Sequence, residues 1–96
     1  MIDKLDNARV LMLSKKGDYG SIKTIGGVEP EIKICYLAIC KYSNDKGIYI
    51  FYCDENMSVE QDSLLDSVGE AIEIAQSRSP DPISWEYSDT CEPCGG

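Results

Sequence analysis

The sequence predicts an α+β fold: an antiparallel sheet of four to six strands, arranged as a β-meander, with one amphipathic helix packed on one face. Three observations carry this expectation. Two apolar, tyrosine-rich runs, residues 31–42 and 48–53, are separated by a loop so short that they must pair antiparallel. Ser67 precedes an apolar stripe at helical spacing, with Glu70 completing a capping box. A proline pair then stops the helix, and a run of period two follows it. The expected order is ββββ(β)αβ.

The first strand is read from residues 8–14 (ARVLMLS), a short apolar run that ends at a Lys15-Lys16-Gly17-Asp18 turn. A weaker strand is expected from Tyr19 to Ile25, closed by Gly26-Gly27. Residues 31–42 (EIKICYLAICKY) are apolar at both parities near their centre, which predicts an interior strand covered on both faces. Ser43-Asn44-Asp45-Lys46-Gly47 supplies the hairpin loop, and IYIFYC at 48–53 its partner strand. Residues 57–65 (MSVEQDSLL) fit either a further strand or an early helix start capped by Ser63. With Ser67 as the cap, Val68, Ala71, Ile72 and Ala75 form one stripe. Gly69 inside it costs roughly 1 kcal/mol relative to Ala, and points to close packing or a late start. Ile83 to Tyr87 reads as the last strand, lying beside the helix end, and 88–96 as a flexible C-terminal tail beyond a domain spanning 1–87.

A chain of 96 residues buries only about 60–65% of its unfolded surface. That suits one sheet and one helix, not a deep enclosed active site. The N-terminal residues Met1 to Asn7 are charged and do not read as a signal peptide, and no stretch is long enough to span a bilayer. A cytoplasmic protein with no membrane partner is therefore expected. Of five cysteines, Cys35, Cys40 and Cys53 lie in apolar runs as small hydrophobes, and the odd count argues against a disulfide framework.

Charge is the most informative bulk property. Residues 1–53 carry a net charge of +2, residues 54–96 a net charge of −10 with Arg78 as their one basic residue. Such a negative half repels nucleic acid and attracts basic surfaces. The absence of histidine removes the usual general base and the commonest metal ligand, so an enzyme is not expected, nor a cofactor or metal site. Cys91-Glu92-Pro93-Cys94 is a CxxC that could bind metal or act as a redox pair, but no second ligand pair stands at suitable spacing. Gly95-Gly96 is similar to the ends of ubiquitin-like sulfur carriers, but those place two strands before the helix and this chain has more. Tyr36, Tyr42, Tyr49, Tyr52 and Trp85 suit a contact surface, yet cross-strand packing explains most of them.

The segments YLAICKY (36–42), GIYIFYCDENM (47–57) and DSVGEAIEIA (66–75) resemble a group of short bacterial proteins with no assigned activity. That group shares a tyrosine-rich hairpin ending near Cys-Asp-Glu, a short link, and an Asp-Ser-[Val/Ile]-x-Glu-Ala helix start. The resemblance covers about half the chain and implies Ser67 as the helix cap. The group has an aromatic where this chain has Met57, and Glu where it has Gly69. Size, acidity and layout are also similar in type to toxin-immunity proteins.

The function expected from these features is non-catalytic protein binding, as in an immunity or inhibitor protein, through Asp54, Glu55, Glu60, Asp62, Asp66, Glu70 and Glu73 docking on a basic partner. A structural or homo-dimeric protein is the alternative, and a Cys91/Cys94 metal or redox site the second alternative.

Overall fold

A computed structural model describes residues 4–22, 31–43 and 46–87. The fold is α+β: a mostly antiparallel, curled sheet with one helix. The strands are β1 (Lys4–Leu5), β2 (Ala8–Ser14), β3 (Ser21–Ile22), β4 (Ile32–Lys33), β5 (Tyr36–Lys41), β6 (Ile48–Cys53), β7 (Val59–Leu65) and β8 (Trp85–Tyr87), with helix α1 (Val68–Gln76) between the last two. The main sheet runs β1-β2-β5-β6-β7, and β8 pairs with β2. The order is not a simple meander, because β2 lies beside β5 while β3 and β4 form a separate two-stranded sheet.

Both sides of β5 are buried, as its apolar centre requires. Leu37 and Ile39 enter a cluster with Ile48, Ile50, Tyr52, Ala71 and Ala75, with Val68 and Ile72 partly buried against it. Ala38 and Cys40 enter a second cluster with Val10, Leu13, Phe51 and Cys53. Each large apolar side chain so buried contributes roughly 1.5–3 kcal/mol. Period-two alternation in β6 divides its residues between the same two clusters, with Ile50 on the helix side and Phe51 opposite.

Bulges explain where alternation fails as a guide. In β2 the register passes from Val10↔Cys40 to Met12↔Ile39, so Leu11 is an extra residue. Val10 and Leu13 therefore share one side, and Met12 takes the other. In β7 the shift from Gln61↔Tyr52 to Val59↔Cys53 leaves Glu60 as the extra residue.

Several expectations change. The strand expected at 31–42 is interrupted at Ile34 and Cys35: Ile32–Lys33 pairs with β3, and only Tyr36–Lys41 joins the main sheet. Of the strand expected over 19–25, Ser21–Ile22 is strand, Tyr19 and Gly20 are not, and 23–25 lie outside the described residues. Residues 59–65 are a strand, so Ser63 caps nothing; Ser67 accepts the Glu70 amide at 3.1 Å and caps the helix. The last strand starts at Trp85 rather than Ile83, because Ile83 instead donates its amide to Gln76. A further strand, β1, lies in the charged N-terminal stretch. Its turn to β2 is Asp6-Asn7, both at positive φ (51° and 68°), a two-residue connection built from residues that tolerate left-handed backbone. No described helix is long and apolar enough to cross a membrane.

Candidate functional site

The turn from β6 to β7 is built by Asp54. Its Oδ1 accepts the amides of Asn56 and Ser58, each at 2.9 Å, while its own amide donates to the Ser58 carbonyl at 3.0 Å. Short side chains that capture backbone amides two to four residues on favour such turns. Met57 sits at φ 66°, an unfavourable conformation for an unbranched apolar residue, and is held there by its packing and its amide bond to the Asp54 carbonyl.

Beyond this turn, β7 forms one edge of the sheet: it pairs with β6, and no described strand pairs with its outer side. Glu60 and Asp62 are exposed on β7, Glu55 is exposed in the turn before it, and Asp66 just after it. Glu70 and Glu73 are exposed on α1, which begins three residues after the strand ends. Six of the seven carboxylates expected to dock are thus exposed, and Asp54 is half-buried with its carboxyl turned to the backbone. Five of the seven lie on β7 or its flanks.

A side-chain hydrogen bond joins Asp54 to Glu60. The Ser58 and Asn56 amides hold the Asp54 carboxyl below its ordinary range, despite some burial. The bond to Asp54, followed by burial and the Asp54 charge, pushes Glu60 up. As pH falls, Glu60 therefore takes up a proton before Asp54 does.

The other side of the negative half is closed off. Arg78, its only basic residue, points inward: Nε donates to the Tyr19 carbonyl at 3.0 Å, and the guanidinium carbon lies 4.8 Å from the centroid of the Tyr52 ring. Tyr42, Tyr49 and Phe51 form an aromatic cluster, with Tyr42 and Tyr49 edge to face at 5.1 Å. The Tyr42 hydroxyl donates to the Asp6 carbonyl at 3.2 Å, and burial, followed by the Asp6 and Asp62 charges, raises its pKa. Packing accounts for these tyrosines.

The buried thiols are poor nucleophiles: burial pushes Cys40 up to about 12, aided by Cys53, and Cys53 up to about 12, aided by Asp54 and Glu60. Among the described residues no group of three or more His, Cys, Asp or Glu could hold a metal ion. Cys91, Cys94, Gly95 and Gly96 lie outside the described residues.

Two features are not visible from sequence. One is the turn-holding role of Asp54, although Asp-x-Asn is a spacing at which such bonds form. The other is the alignment of Lys4, Arg9 and Lys41 across three strands, which requires knowing the register. A scan against protein-family models finds no match, and neither a search of curated proteins nor one of solved structures finds a similar chain.

Proposed function

We propose that this protein is a non-catalytic protein-binding module that docks its acidic β7 side on a basic partner surface, as an inhibitor or immunity protein does. The observation that carries the reading is the gathering of exposed carboxylates along and around β7, while the sole cation of that half is turned into the protein against Tyr52. Clustered charge of one sign speeds encounter with an oppositely charged surface and rejects like-charged ones. An outer strand edge also offers unpaired backbone amides and carbonyls to an incoming strand.

Pairing of two copies through this edge is the weaker alternative. Asp62 is the middle residue of β7, so antiparallel self-pairing about it would set Asp62 directly against its own copy. A basic extended segment meets no such repulsion.

The test is a titration with an alternating Lys/Val peptide, followed by amide NMR shifts. Binding along β7 that weakens as salt rises from about 0.05 to 0.5 M supports the reading. Binding indifferent to salt, or unaffected by the double change Glu60→Gln and Asp62→Asn, would remove it.

A further inference from the structure

We infer that the protein carries a second, opposite site: a pocket for a small phosphate-bearing ligand, built from Lys4, Arg9 and Lys41. Register puts the three in one row. Lys4 is opposite Arg9, and Arg9 is opposite Lys41, so three adjacent strands present a cation on the same side of the sheet. Directly opposed like charges destabilise a sheet. A row of three concentrates positive charge where a compact anion would be welcomed.

The row borders a cavity of about 350 Å³, also lined by Leu11, Asn7, Tyr42 and Ser43. That volume lies within the range of small-molecule sites, roughly 300–1,000 Å³. The helix packs over β5, β6 and β7 rather than over this β1-β2 corner. All three cations are exposed there. A guanidinium binds phosphate oxygens in pairs, and ammonium groups add point charge. Asn7 and Ser43 add neutral polar groups at the rim.

The choice of a small ligand over a nucleic acid follows from total charge. At −8, the chain repels an extended polyanion, whereas a compact phosphate contacts chiefly the Lys4, Arg9 and Lys41 row, although the Asp6 and Asp62 charges act on Tyr42 at its border. The proposal does not depend on docking at β7, which stands at the opposite end of the strand order from β1.

The experiment uses inorganic pyrophosphate as the probe, followed by amide NMR shifts and by Tm. Saturable shifts at Lys4, Arg9 and residues 41–43 are expected, with a ligand-induced rise in Tm. Arg9→Gln and Lys41→Gln should each weaken binding about tenfold or more, while Lys33→Gln, on β4, leaves it unchanged. Lys41→Gln should also raise the Tm of the ligand-free protein, since it relieves a like-charge pair; a purely structural lysine would not behave so. Absence of saturation, equal weakening by Lys33→Gln, equally tight binding of citrate, or a lowered ligand-free Tm in Lys41→Gln would each overturn the proposal.

Discussion

Arg78 reaches across the fold so that its guanidinium carbon stands 4.8 Å above the Tyr52 ring while Nε donates to the Tyr19 carbonyl at 3.0 Å. One side chain beyond the helix thus ties a core tyrosine of β6 to the segment that follows β2. Gly20, at φ 94°, lets the backbone pass this guanidinium: a Cβ there would stand 3.3 Å from Arg78 Nη2. Arg78→Ala should cost about 1–3 kcal/mol in urea unfolding, from the lost cation–π contact and hydrogen bond. Arg78→Lys should recover only part, because an ammonium cannot both stack and donate in that geometry.

Ser14 should matter more than its size suggests. It is buried, and its Oγ accepts the Leu37 amide at 2.8 Å where the β2–β5 ladder ends. Ser14→Ala leaves that amide unsatisfied in the core and should destabilise by about 1–3 kcal/mol in chemical denaturation.

Gly69→Ala should stabilise by about 0.5–1 kcal/mol, read as a higher urea midpoint. The position is exposed and helical, and a Cβ there meets nothing closer than Ser67 Oγ at 3.9 Å. Close packing therefore does not explain this glycine.

The Asp54–Glu60 pair makes stability depend on pH in two opposed ways. Asp54, held below its ordinary range, contributes stability that is present above the unfolded pKa and lost as pH falls through the lowered one. Glu60, pushed up, contributes stability that is present below its unfolded pKa and lost as pH rises through the raised one. Glu60→Gln can keep donating to Asp54 at every pH. Denaturation at about pH 5 and pH 8 should show that Glu60→Gln flattens the upper part of the profile and is more stable than the parent at the higher pH. Asp54→Ala should instead destabilise at both, because the Asn56 and Ser58 amides lose their acceptor.

The strand hairpin and the helix were legible because their signals are local. Ile48 to Cys53 is a continuous apolar run beside a short turn, and Ser67 with Glu70 marks the helix start without reference to the rest of the chain. The break at Ile34 and Cys35 was not legible, since Ile34 remains fully buried while the strand changes partners around it. Leu11 and Glu60 are bulged residues whose place depends on the neighbouring strand, so alternation within β2 and β7 misleads. Of the candidate site, the negative half was visible as composition. That β7 is an outer edge among the described strands, and that Asp54 turns to the backbone, are facts of pairing and of the turn.

Docking through the β7 edge is most directly tested by hydrogen exchange of the β7 amides with and without the alternating Lys/Val peptide. Slowed exchange at the outward amides of Val59–Leu65, weakened by salt and lost in the double variant Glu60→Gln, Asp62→Asn, is the result expected. Protection that arises elsewhere, or exchange at β7 that the peptide leaves unchanged at low salt, contradicts it.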